Sequence, residues 1–157
     1  MIGHSNQTAN VNAPFKKGPR MTNVYVKPEE VRKACADLGI SDWTVLDDGH
    51  VSVTDATVLR NAVGGDALKI TPDRFKLALE IELEHGTRFP DTNVTSNHPI
   101  LTGQIVLAHL KEGLDYYERL VCMELEMEIA AAKAAGDTAR AKTKTASLAI
   151  ARKALPG

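Results

Sequence analysis

The stretch TPDRFKLALEIELEHG, residues 71–86, decides the fold class. Thr71 is a good N-cap, and Pro72 suits the first helical position because its missing N–H would go unpaired there anyway. Asp73 places negative charge at the positive end of the helix dipole. Turning each residue by about 100° around a helix axis gathers Phe75, Leu77, Ala78, Leu79, Ile81 and Leu83 into one broad apolar arc, with Lys76, Glu80 and Glu84 opposite. The spacing predicts an amphipathic helix over 72–85 that Gly86 stops. Glu82 and His85 fall inside the apolar arc.

Downstream, an irregular link from Thr87 to Asn97 contains Asp91-Thr92-Asn93-Val94-Thr95, whose side chains suit local bonds to the backbone. Pro99 to Lys111 then reads as a buried helix. Gln104 and Lys111 take its narrow wet side, His109 lies between Ile105 and Val106, and Glu112 lies beside Leu101. Asp115 is placed to cap a third helix over 116–135, where Tyr116, Leu120, Met123 and Met127 form a stripe flanked by Glu124. Gly136-Asp137 breaks that helix. The segment 138–154 is helix-prone through its alanines but has no clean apolar stripe, as in an exposed or partner-stabilised helix.

Upstream, Pro28-Glu29-Glu30 opens a helix over 28–38 that Gly39 ends, with Val31, Cys35 and Leu38 on one face. Two β-branched runs, Trp43–Leu46 and Val51–Val53, flank Asp47-Asp48-Gly49-His50 and predict a small β-hairpin near 43–53. Asp55 can cap a short helix over 55–63, closed by Gly64-Gly65. The fold class is mainly α: a small helical bundle with a minor β-hairpin, an extended N-terminal arm and an Ala/Lys-rich C-terminal helix.

The division expected is a basic arm over 1–27, a helical domain over 28–136 and a basic helix over 137–157. The arm carries Lys16, Lys17, Arg20 and Lys27 with no acid, and the last segment carries five basic residues against Asp137. With a net charge of −1 for all 157 residues, the middle of the chain is strongly acidic. Hydrophobic residues at 43% and charged residues at 25% fit an ordinary globular domain and argue against wholesale disorder. No apolar run is long enough for a membrane helix, and the first thirty residues lack a signal core. Two widely separated cysteines, Cys35 and Cys122, exclude a disulfide framework. The compartment expected is therefore a reducing one such as the cytoplasm, not the secreted space.

Chemistry concentrates on two helices. One offers Glu82-x-x-His85 and the next His109-x-x-Glu112, each pair at i,i+3 on an inward arc. Buried charge is costly unless partnered, so these groups should meet each other, backbone groups or a metal. A Glu-x-x-His pair on facing bundle helices is the ligand pattern of carboxylate-bridged di-iron and di-manganese sites, and Glu124 could add a bridge. Fe, Mn or Zn would suit such a set. The simpler reading is a Glu–His network joining helices without metal. Acid–base catalysis is the third reading. There is no Gly-rich phosphate loop and no local nucleophile signature. The basic ends could touch nucleic acid weakly and non-specifically through Lys16, Lys17, Arg20 and Lys27, or meet a protein partner or another copy.

The ordered string Glu84-His85-Gly86, Thr92-Asn93-Val94-Thr95, Ala108-His109-Leu110-x-Glu112, Tyr116-Tyr117-x-Arg119-Leu120 and Met123-Glu124 resembles a small helical family of domains of unknown function. That family occurs in bacteria and their viruses. The resemblance implies a compact helical unit built from the three central helices, and no activity. It places His85, His109 and Glu112 on motif positions, while Gly113-Leu114 stands where a proline would precede the third helix. The function expected is a non-enzymatic structural or interaction module that orders its arm in a larger assembly, such as a bacteriophage virion or an accessory protein. The alternative is a metal-binding helical protein with Glu82, His85, His109, Glu112 and Glu124 as its ligand set.

Overall fold

The computed structural model describes residues 25–46 and 48–155. Six α-helices follow in order: α1 (Pro28–Leu38), α2 (Val53–Val63), α3 (Pro72–Arg88), α4 (Pro99–Glu112), α5 (Tyr116–Ala134) and α6 (Thr138–Ala154). Short 3-10 turns occupy Trp43–Val45, Gly65–Lys69 and Pro90–Thr92. The main core draws on α1 to α4 and the first turn of α5. Val31, Cys35, Trp43, Leu59, Phe75, Leu79, Leu83, Val106 and Tyr117 are all buried there. A separate, smaller cluster forms between α5 and α6 from Cys122, Ile129 and Leu148, with Leu125, Ala151 and Leu155 against it.

The expected hairpin is absent: no strand occurs among the described residues, Trp43–Val45 is a 3-10 turn and Val53 opens α2. Side chains take the backbone donors that a strand ladder would have used. Asp42 accepts from Thr44 N–H at 2.9 Å and from its hydroxyl at 2.7 Å, winding the turn, while Val51 N–H donates to Glu80 Oε1 at 3.1 Å. Ser52, not Asp55, caps α2 by accepting from Asp55 N–H at 2.9 Å. Asp55 sits in the first turn, buried, and accepts from the Ser41 hydroxyl and, at 3.3 Å, from its N–H. This ties the segment before the 3-10 turn to α2.

Three further features differ from expectation. Gly86 does not stop α3, which runs to Arg88. Its lack of a side chain serves packing instead, since a Cβ there would lie 2.8 Å from the Asn93 amide. Asn93 donates to Asn97 Oδ1 at 2.9 Å and accepts from Thr95 Oγ1 at 3.2 Å, so the link between α3 and α4 is held by its own side chains. Asp115 precedes α5 without a side-chain cap bond. Its carboxylate pairs with Arg119 at 2.6 Å, which holds it below the ordinary aspartate range. Finally, α6 packs along α5 of its own chain through Ala141, Leu148, Ala151 and Leu155.

Gly103 of α4 packs directly against α2. A Cβ there would fall 2.7 Å from Val63 Cγ2 and 3.5 Å from Leu59 Cγ. Gly103→Ala should therefore lower stability, because overpacking costs about 1–3 kcal/mol and helix propensity returns only about 1 kcal/mol. Thermal melts of the two proteins test this. Equal midpoints would mean that the crossing can open by a few tenths of an ångström without loss.

Glu80 joins the segment before α2 to α3. Its Oε1 accepts from Lys76 Nζ at 2.6 Å and from Val51 N–H at 3.1 Å, and lies 3.2 Å from His50 Nδ1. Burial alone would raise this carboxyl, but Lys76, the Val51 N–H and His50 outweigh it and hold it below the usual glutamate range. In the window between the two values the unfolded chain binds more protons than the folded one. The stabilisation is complete above the ordinary glutamate pKa and is lost as pH falls through the folded value. Denaturant midpoints measured across acidic pH should fall less steeply in Glu80→Gln than in the parent.

Candidate functional site

Glu82 projects from α3, His109 from α4, and Tyr116 and Tyr117 from the start of α5. Their meeting follows from helix geometry. Glu82 lies one turn before the end of the buried run of α3, and His109 lies at the matching depth on α4. The short connection Gly113–Asp115 then turns α5 back so that its first residues cover both.

Tyr117, 2% exposed, is the centre of the cluster. Its hydroxyl donates to Glu82 Oε1 at 2.7 Å. With that proton committed, the hydroxyl oxygen accepts from His109 Nδ1–H at 2.9 Å, and Nδ1 also lies 3.2 Å from the same Oε1. Nδ1 thus carries a proton in this arrangement. Tyr116 stacks on the imidazole with ring centroids 4.4 Å apart and planes 2° from parallel, while Tyr117 meets it edge-on at 5.8 Å. Both the ring's hydrogen bond and its faces are fixed by α5.

Burial and the Glu82 carboxylate push the Tyr117 hydroxyl far above the ordinary phenol value. It therefore remains a proton donor to Glu82 and is no base. Next to it, Arg74 of α3 bonds to Glu118 and donates to the Leu114 carbonyl at 2.7 Å, adding a second tie between α3 and the α4–α5 corner. Chemically, the arrangement clamps three helices through hydrogen bonds that link an acid, a phenol and an imidazole. The imidazole keeps 29% of its side-chain surface in contact with solvent.

Of the five candidate ligands, the structure brings together Glu82 and His109 only. His85, Glu112 and Glu124 are exposed, and none bonds to Glu82 or His109. The inward placement expected for His85 and Glu112 is corrected. Both lie in the last turn or so of their apolar arcs, where the neighbouring helices no longer cover the surface. Among the described residues, no group of three or more His, Cys, Asp or Glu side chains is placed to hold a metal ion. The Tyr117 hydroxyl bonds to both the acid and the imidazole. The sequence signal for it was the paired tyrosine just after Asp115, since a buried tyrosine needs a partner for its hydroxyl.

Lys27 is exposed at the start of α1, where its N–H donates to Glu30 Oε2 at 2.8 Å, while Lys16, Lys17 and Arg20 lie outside the described residues. On α6, Arg140 and Lys144 pair with Glu128, and Arg152 pairs with Glu126 at 2.7 Å. Much of that helix's positive charge is thus answered by α5.

A family model described as a protein of unknown function, DUF5661, matches residues 31–126. That span is well over half of the chain and contains the whole Glu82–Tyr117–His109 cluster. The chain belongs to the DUF5661 family. No curated protein and no solved structure matches it. The DUF5661 match begins inside α1 and ends part-way along α5, so it takes in the main core and leaves α6 outside. No helix among the described residues is long and apolar enough to cross a membrane.

Proposed function

We propose that this DUF5661 protein is a non-enzymatic structural or interaction module that works within a larger assembly, where its N-terminal arm gains order. One observation carries the reading. The apolar stripe of α5 continues past the core with Met123 and Met127 left 49% and 64% exposed. Single exposed apolar residues are unremarkable, but successive large ones on one helix face are the usual mark of a protein contact. The hydrogen bonding that links Glu82, Tyr117 and His109 supports a structural role for that cluster. The setting proposed, from the resemblance in its motif string, is a bacteriophage particle or an accessory protein of one, or the cytoplasm of its bacterial host.

Limited proteolysis of the full chain tests the arm. Cleavage before residue 28 should slow sharply in the native assembly relative to the isolated chain, and equal rates in both would overturn the proposal. Metal analysis separates the cluster readings. A structural network predicts that parent and His109→Ala purify with the same negligible Fe, Mn and Zn, the variant being less stable by about 1–3 kcal/mol. Stoichiometric metal in the parent, lost in His109→Ala, would instead establish a carboxylate–imidazole site.

A further inference from the structure

The unpartnered face of α5 has a regular spacing. Tyr116, Leu120, Met123, Met127, Ala130 and Ala134 succeed one another at intervals of four and three residues, the alternation of a coiled-coil seam. The opposite face, with Cys122, Leu125, Ile129 and Ala132, is already taken by α6. Tyr116 and Leu120 pack on the main core, whereas Met123, Met127, Ala130 and Ala134 are all exposed. A seam of this period is complementary to another α-helix, and more poorly to an extended strand or a flat surface.

The bare half of the seam is divided by size, with two methionines followed by two alanines. Laid antiparallel on itself about a two-fold axis, it sets Met127 against Ala130 of the second copy and Met123 against Ala134, large against small on both sides. The flanks agree with this register, although Glu126 already pairs with Arg152 of its own α6 and would share its half-exposed carboxylate between the two cations. Glu126 and Lys133 border the seam on the same edge, and the antiparallel pairing brings each Glu126 beside the other copy's Lys133. Sliding the register by one heptad toward the core would set Glu126 against its own counterpart, a like-charge contact that disfavours it. Leu120 and Tyr116 stay with their own core in the favoured register.

We propose that the outer half of α5 is a self-association surface, on which a second copy of this chain docks antiparallel through Met123, Met127, Ala130 and Ala134. This rests on the interaction reading above and names its partner. The seam spans about two heptads, which places the contact among small, reversible interfaces, so dimer should build up with protein concentration.

Light scattering of the full chain over a wide concentration range, with Met127→Glu alongside, tests the surface. Met127 is largely exposed in the single chain, so the variant should keep the parent's helical circular dichroism and melting curve of the monomer. The result expected is a concentration-dependent rise toward dimer mass in the parent and its loss in Met127→Glu. Disulfide trapping tests the orientation. An oxidised mixture of Met127→Cys and Ala130→Cys chains should give a mixed cross-linked dimer, with little from either variant alone. A parent that remains monomeric throughout, a dimer that survives Met127→Glu, or cross-linking by each variant with itself would overturn the proposal. In the second case the interaction reading would stand on a different surface. Failure of the arm-protection experiment, by contrast, would remove the assembly reading while leaving an α5 dimer intact.

Discussion

Trp43→Ala is expected to cost about 3–5 kcal/mol, enough to leave much of the protein unfolded at ordinary temperature. Trp43 is fully buried although it lies in a three-residue 3-10 turn, not in a helix. Its N–H donates to Cys35 Sγ at 3.5 Å, and its ring fills the main core beside α1. No helix slides in to refill the space, because Asp42 and Asp55 fix the chain on the near side of the turn through their own hydrogen bonds. Trp43→Phe should be milder than its loss of size suggests. The indole Nε1 is buried without a partner among the described residues, and phenylalanine removes that unpaired donor. Urea titrations followed by circular dichroism would give both values. A loss below about 1 kcal/mol for the alanine variant would contradict the burial of this side chain.

Tyr117→Ala should be of similar size, about 3–5 kcal/mol, since it removes a buried ring and the bridge between Glu82 and His109 together. Tyr117→Phe separates the two contributions. It keeps the ring but withdraws the donor to an ionised carboxylate, for an expected loss of about 1–3 kcal/mol. Glu82→Gln with Tyr117→Phe completes a double-mutant cycle, and a coupling energy well above zero is expected for groups in direct contact. A coupling near zero would show that the 2.7 Å contact contributes little to holding α3 against α5.

The helices were legible wherever capping and apolar period agreed. Pro28 with Gly39 bounds α1, and Thr71 accepts from Arg74 N–H to start α3. Gly86 misled because a glycine inside a helix can exist for a neighbour's benefit, here Asn93. The hairpin failed for a related reason. Val51 and Thr44 have the right β-branched character, but the carboxylates that bind their N–H groups lie at Glu80 and Asp42, and nothing in a two-residue alternation reveals that. For the cluster, helical angles correctly turned Glu82 and His109 toward one another across α3 and α4. The same construction misplaced His85 and Glu112, because an arc drawn around one helix does not say how far along that helix its neighbours reach. Tyr117 was hidden since its partners are distant in sequence, and only the turn at Gly113–Asp115 delivers its hydroxyl between them.

α5 is one unbroken helix of nineteen residues, and the two ends belong to different surroundings. At about 1.5 Å per residue it is a rod of roughly 28 Å. Its first turn is bolted between Glu82 and His109, and its far end carries α6. Such a rod has a fulcrum. A small tilt imposed at Ala134 by any load on α6 must be resisted at Tyr116 and Tyr117, which the stacked imidazole and the shared Oε1 hold in place. The acid–phenol–imidazole clamp is thus also the mechanical anchor of a lever, and the partly buried His109 ring sits where its strain would first be felt.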